Sequence, residues 1–276
     1  EPVLRFRRTK IGLKLKPVFF FFGEIYRKVV AFLLPDLMVK KKISQYGPFL
    51  LGGKFLFSDF SHWSQGHNVG FDELIEAARG KNCVFDIGAH VGLTTLPLAN
   101  VVDTAWHVYA FEPSTSNLHF LKKHLKANKF SNVSIVEKLV GNKVDVYATF
   151  FEDEGVSGMN SMAQIEQTRQ AKQIDVVTID TFSLKTKIIP DLIKIDIEGA
   201  ELMALEGAKE ILTQYLPTIF LSVHPRQIAA LGQSVDDLKH FIVDLGYEVW
   251  DVKRKTRCTG QLQFGEYRLE PITHKL

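Results

Sequence analysis

From about residue 70 to the C-terminus, short apolar runs alternate with amphipathic stretches, and that alternation limits the fold more than any other feature. CVFDI (83–87), HVYAFEP (107–113), NVSIVEK (132–138), DLIKID (191–196) and TIFLSVHP (218–225) each read as a strand bounded by Gly, Pro or polar residues. FDELIEAARG predicts a short helix with Asp72 as N-cap and Gly80 past its end, and VGLTTLPLAN predicts another with Pro97 confined to its first turns. Ser114 or Thr115 caps a third, with Leu118, Leu121 and Leu125 on one face. A fourth runs from Gly199 to about Thr213, and Ser234 opens a fifth that Gly246 stops. YEVWDV (247–252) and QLQFGEYRLE (261–270) close the chain as a hairpin. Strands alternating with helices imply a doubly wound α/β fold, a mostly parallel sheet covered on both faces. Two further alternating segments, VDVYATFF (144–151) and QIDVVTID (173–180), flank the polar stretch EDEGVSGMNSMAQIEQTRQ, expected to be a surface loop or a lid.

Residues 1–65 read as an N-terminal extension and residues 66–276 as the main domain. The extension is basic and rich in Phe. Residues 1–42 hold eleven Lys and Arg against three acids, a charge of +8 in a chain whose total is +3. Its apolar runs, Val18–Phe22 and Val29–Leu34, fall far short of the roughly 20 residues that span a bilayer, and no small-residue cleavage site of a signal peptide follows. Two readings stay open. One is a helical cap or homodimer contact whose Phe side chains pack on the body. The other is a segment lying on an anionic membrane through residues 1–42, at the cytoplasmic face. Nucleic acid is not an expected partner, because the charge is confined to one end and no recognition motif accompanies it. Cys83 and Cys258 lie far apart with no Cys/His cluster, which points to a reducing cytoplasmic compartment. The chain opens on Glu1 rather than Met, as a fragment would.

Doubly wound sheets bind ligands beyond the carboxyl ends of their strands. The first such turn reads VFDIGAHVG, with Asp86, Gly88 and Gly92 spaced D-x-G-x-x-x-G. The dinucleotide spacing G-x-G-x-x-G is absent, which argues against an NAD-linked oxidoreductase. A carboxylate there would repel a pyrophosphate by about 1–4 kcal/mol at 4 Å and attract an ammonium or sulfonium. S-adenosylmethionine presents both and carries no phosphate. Its methionyl part is expected at Asp86, Gly88, Ala89, His90 and Gly92. Its ribose is expected at Glu112 and Pro113, where an acid ending the second strand accepts from both hydroxyls, and its adenine near Glu137, Lys138 and Leu139.

The stretch IKIDIEGAELMALEGA is the most unusual in the chain. Lys194 and Asp196 point to one side of a strand in a mostly buried sheet, where unpaired charges are costly. Glu198 and Glu201 lie near the start of the next helix, where the dipole favours acids by about 0.3–1 kcal/mol. With VFDIGAHVGLTT, YAFEPS, LKANKFSNV, VTIDTF and FLSVHP, this stretch resembles the FkbM family of S-adenosylmethionine-dependent methyltransferases, in the right order over about residues 66–225. The resemblance implies a class I methyltransferase fold, Rossmann-like with a seven-stranded sheet whose last strand is antiparallel. It implies O-methylation of a sugar, glycan or other small-molecule hydroxyl. Ser222 stands where the family usually carries Glu.

A sugar hydroxyl needs a base or a metal. Asp196 or His224 is the expected base, with Lys194 holding Asp196 ionised and Glu198 and Glu201 orienting substrate hydroxyls. His224 reads equally well as a strand-end histidine satisfied by backbone. No metal site is expected, since HxH and HExxH are absent, and an ion held by Asp196 and Glu198 is the alternative. The acceptor is expected between the loop of Ser157, Asn160 and Ser161 and the segment SDFSHWSQGH, where Trp63 and His62 are candidates to stack on a pyranose. A non-catalytic adenosine-binding scaffold is the remaining rival.

Overall fold

In the computed structural model the described residues are 29–30, 33–34 and 36–272, apart from short breaks at 66–67, 103–104, 145, 154 and 165–168. An N-terminal hairpin, β1 (Met38–Ile43) and β2 (Tyr46–Gly52), leads through a 3-10 turn at Gly53–Phe57 into the alternating body. The body begins α1 (Phe71–Ala77), β3 (Cys83–Ile87), α2 (Thr95–Val101), β4 (His107–Phe111), α3 (Thr115–Asn128) and β5 (Val133–Val136). A side branch follows: β6 (Leu139–Val140), β7 (Tyr147–Glu152), β8 (Gln170–Val177) and α4 (Ile179–Thr186). The chain then returns through β9 (Leu192–Ile195), α5 (Glu201–Glu206), α6 (Lys209–Tyr215), β10 (Thr218–Val223), α7 (Pro225–Ala230), α8 (Val235–Asp244), β11 (Tyr247–Asp251), β12 (Thr256–Arg257) and β13 (Gly265–Pro271).

The large sheet has the order β12-β11-β13-β10-β9-β3-β4-β5. Strands β5, β4, β3, β9 and β10 are parallel, and β13 inserts antiparallel between β10 and β11. Seven strands therefore follow the expected plan, and the two-residue β12 adds an eighth at the edge. The pleat sends alternate residues to opposite cores. Val84, Val108 and Leu192 pack with α2, α3 and the hairpin, while Phe85, Phe111 and Ile193 pack with α5, α6 and α8. Each large apolar side chain taken fully out of water contributes about 1.5–3 kcal/mol, more than an exposed ion pair at about 0–1 kcal/mol. These two layers hold the fold. The sheet's winding reverses between β3 and β9, so their carboxyl ends open a crevice there.

Three local expectations are revised. Asp72 is not the N-cap of α1: Gly70 takes that place at φ 95°, and Asp72 lies in the first turn. The helix expected over 199–213 is broken into α5 and α6. At Gly207 a Cβ would lie 2.0 Å from the Gly141 carbonyl oxygen, and the Asp180 amide donates to the Gly207 carbonyl at 2.9 Å. The Asp180 carboxylate then accepts from the amides of Glu210 and Ile211, starting α6 afresh. Third, over residues 38–57 the extension is a hairpin and a 3-10 turn rather than helix.

Phe49, Phe55 and Phe60 of this extension join the core of the sheet. Fully buried His124 ties the hairpin down, accepting from the Gly52 amide at 3.0 Å and donating from Nδ1 to the Val91 carbonyl at 2.8 Å. Residues 1–28, which carry most of the basic charge assigned to a membrane or helical role, lie outside the described residues. No described helix is long and apolar enough to cross a membrane, and Cys83 and Cys258 are both unpaired.

Candidate active site

The turn after β3 is fixed by glycine. Gly88 adopts φ 81°, and a Cβ there would lie 1.9 Å from the Asp196 carbonyl oxygen, so no larger residue fits. Its amide and that of Ala89 both donate to the Phe111 carbonyl at 3.0 Å. Gly92 lets α2 approach α3, where a Cβ would meet Leu121 at 2.8 Å. His90 and Glu198 also hold left-handed backbones (φ 52° and 54°), the kind of local strain that gathers at functional sites.

Beneath this turn Asp86 and Lys194 occupy paired positions on β3 and β9. Asp86 is fully buried; Lys194 Nζ lies 3.2 Å from its Oδ1, and Thr95 Oγ1 donates to its Oδ2 at 2.7 Å. Lys194 also donates to the Gly88 carbonyl at 2.7 Å, and stands 3.9 Å from Asp196. Burial pulls the Lys194 ammonium down, but the charges of Asp86 and Asp196 outweigh it and hold its pKa above the usual value. Two expectations change as a result. Asp86 sits under the turn rather than on the cleft wall, and Lys194 is anchored first on Asp86 and only second on Asp196.

Two clefts meet above the strand ends. The first, about 690 Å³ including its solvent-open part, is lined by Gly88, His90, Glu112, Pro113, Lys138 and Leu139 among the expected cofactor residues. Phe111, Val140, Phe150 and Met162 give it an apolar slot of the kind a purine ring fills. Glu112 accepts from the amides of His90 (2.7 Å) and Ser114 (2.9 Å) and from Asn117 Nδ2 (3.2 Å). Its burial pushes the carboxyl up to about 7 despite these bonds. Glu137 does not line this cleft, because Lys122 of α3 takes it at 2.6 Å.

The second cleft, about 1330 Å³ on the same basis, is lined by Trp63, Phe71, Ala89, Lys194, Ser222, His224, Phe264 and Glu266. Gly88, His90, Gly158, Asp196 and Glu198 belong to both clefts and form the neck between them. Trp63 also packs edge-on against Phe60 and Phe71, so it is wall and core at once.

His224 Nδ1 meets Glu201 Oε1 at 2.7 Å, which leaves Nε2 3.7 Å from Asp196 and 3.6 Å from Glu198. Burial alone would lower the imidazolium, yet the Glu201 bond and the Asp196 and Glu198 charges raise it to about 9. Glu201 is thus not a substrate contact. It is fully buried and orients His224. Asn160 and Ser161 are buried as well. Asn160 donates to Ser114 Oγ at 3.1 Å and accepts from the Asp153 amide, while Ser161 donates to the Ala163 carbonyl. Together they pin the loop between β7 and β8, which presents Gly158 and Met159 to the second cleft instead.

Sequence reasoning missed Asn117, Phe264 and Glu266. Asn117 joins Glu112 to the loop by donating to the Ser157 carbonyl at 3.0 Å. Glu266 faces Ser222 across β13 and β10, accepting its hydroxyl at 2.6 Å, so a neighbouring strand brings a carboxylate to the Ser222 position. Burial, then the Asp196 charge, raises that carboxyl. Phe264 is 78% exposed and stands 5.7 Å from the His224 ring at the cleft rim.

The strand order, with one antiparallel strand between the last two parallel ones and a ligand crevice at the switch point, defines the Rossmann-like class I methyltransferase architecture. The chain belongs to the FkbM methyltransferase family: the Methyltransferase FkbM domain matches residues 86–249. No curated protein matches it. Solved structures with a similar fold include the methyltransferase FkbM from Methylobacillus flagellatus KT, at 22% identity and a TM-score of 0.43, covering 68% of this chain and 43% of that one. The precorrin-6y C5,15-methyltransferase from Geobacter metallireducens GS-15 aligns at 16% identity and a TM-score of 0.43, covering 84% of this chain and 97% of that one. A SAM-dependent methyltransferase from Aquifex aeolicus aligns at 13% identity and a TM-score of 0.43, with 76% and 93% covered. The chain spans less than half the length of the Methylobacillus protein.

Proposed function

We propose that the chain is an S-adenosylmethionine-dependent O-methyltransferase acting on a hydroxyl of a sugar or glycan-type acceptor. The observation that carries this reading is the neck: two clefts of different character share Gly88, His90, Gly158, Asp196 and Glu198. The first offers an apolar slot and the Glu112 carboxylate, the pair of features an adenosine needs. The second is wider, with aromatic walls and acidic groups that suit a polyhydroxylated ring.

Gly88, His90, Gly158, Asp196 and Glu198 would hold the methyl-bearing end of the cofactor at the neck, with the acceptor hydroxyl entering from the second cleft. Bound S-adenosylmethionine would supply the methyl group, and the protein's main task is to hold the reactants aligned. The hydroxyl proton passes to Asp196, whose side chain is 39% exposed at the neck. His224 holds its own proton up to about 9 and acts as a donor, which favours Asp196 over His224 as the base. Lys194 offsets the negative charge gathered there by Asp196 and Glu266. The basic head would bring this cleft to lipid-linked acceptors at the cytoplasmic face of a membrane.

Incubation with methyl-labelled S-adenosylmethionine and a panel of sugars and glycolipids tests the reading. Label should appear as an acid-stable O-methyl ether on a hydroxylated acceptor. A protein that binds the cofactor yet labels none of the panel would be the non-catalytic scaffold instead.

A further inference from the structure

Asp196, Glu198 and His224 each place one donor atom within 4.8 Å of the other two. His224 Nε2 stands 3.7 Å from Asp196 Oδ1 and 3.6 Å from Glu198 Oε1. Those gaps are too long for hydrogen bonds. They match the spacing of ligands arranged around an ion about 2.1 Å from each.

Of the other polar atoms of these side chains, two are hydrogen-bonded and the third faces a cation. His224 Nδ1 is on Glu201, Glu198 Oε2 accepts from Gln227 Nε2 at 2.8 Å, and Asp196 Oδ2 lies beside Lys194. Each residue therefore turns one remaining atom toward a common point, and an ion bound there would displace the Nε2 proton of His224. His224 is only 7% exposed, and its Nε2 makes no hydrogen bond among the described residues. That nitrogen opens onto the second cleft, with a carboxylate oxygen of Asp196 and one of Glu198 beside it where the other ligands of an ion would stand. The fully buried Glu201 carboxylate behind the imidazole fixes its tautomer, as carboxylates do behind metal-bound histidines.

We propose that Asp196 Oδ1, Glu198 Oε1 and His224 Nε2 bind one divalent first-row cation, a donor set of two carboxylates and an imidazole that suits Mn²⁺, Fe²⁺ or Zn²⁺. Three protein ligands leave the ion's other positions open to the second cleft. There it would polarise the acceptor hydroxyl and leave Asp196 Oδ2 to accept the proton. This role rests on the methyl-transfer reading, whereas the binding does not.

The test is titration of the metal-stripped full-length chain with Mn²⁺ alone, followed by calorimetry and by loss of the free-ion paramagnetic resonance signal. One equivalent should bind. Affinity should fall at least tenfold in Glu198→Gln and in His224→Ala, and about 10–100-fold in Glu201→Gln, which removes no ligand. Each variant should keep a cooperative melt. No stoichiometric binding by the wild type at millimolar Mn²⁺ overturns the proposal, as does unchanged affinity in both ligand variants. S-adenosylhomocysteine titrated into the same samples separates the two readings. If it binds while Mn²⁺ does not, the metal site alone fails; if Mn²⁺ binds while it does not, the site stands and the methyltransferase reading fails.

Discussion

Lys194→Met should destabilise the protein by about 3–5 kcal/mol, the usual cost of removing one partner of a buried ion pair. The reason is the environment of Asp86. Its carboxylate is fully buried with Lys194 and Thr95 as its polar partners. Methionine fills the space of the lysine stem but leaves that charge uncompensated and removes the donor to the Gly88 carbonyl. The double change Asp86→Asn with Lys194→Met should recover much of the loss, since replacing both members of a buried pair is often nearly neutral. Denaturant unfolding midpoints at constant slope measure this. A loss below about 1 kcal/mol would mean that the pair contributes no more than a surface salt bridge.

Asp196→Asn should lower turnover by about 10²–10⁴, the range for a lost acid–base group, while S-adenosylhomocysteine affinity stays within a few fold. Asparagine keeps the shape of the side chain, so the cofactor cleft stays intact while the carboxylate's charge and its capacity to accept a proton are lost. Initial rates with saturating acceptor, set beside cofactor binding, separate the two effects. An equal fall in both would make Asp196 a cofactor contact rather than the base.

The strands and most of the helices were legible because their periodicity is local: Pro97 falls in the first turn of α2, and Ser114 and Ser234 cap α3 and α8 as read. The glycine turn and Glu112 were legible for the same reason, since strand, turn and helix follow one another in the chain. What stayed hidden depends on register between strands far apart in sequence. Asp86 read as a cofactor contact because nothing local shows that Lys194 sits directly across from it. Glu266 was invisible until β13 set it opposite Ser222. Glu201 read as an ordinary acid favoured by a helix dipole, and only its full burial against His224 gives it another task. The break at Gly207 was likewise set by the Gly141 carbonyl, 66 residues earlier in the numbering.

The central claim is that the cleft beside Gly88 and Glu112 holds S-adenosylmethionine, and calorimetric titration with S-adenosylhomocysteine tests it most directly. One equivalent should bind and add about 2.7 kcal/mol of unfolding stability at 100 times its dissociation constant. Binding should tighten from pH 6 to pH 8, because ribose hydroxyls donate best to the ionised Glu112 carboxylate, whose burial holds its proton up to about 7. No binding heat and no thermal shift with millimolar S-adenosylhomocysteine, or a shift with NADH in its place, would contradict the account.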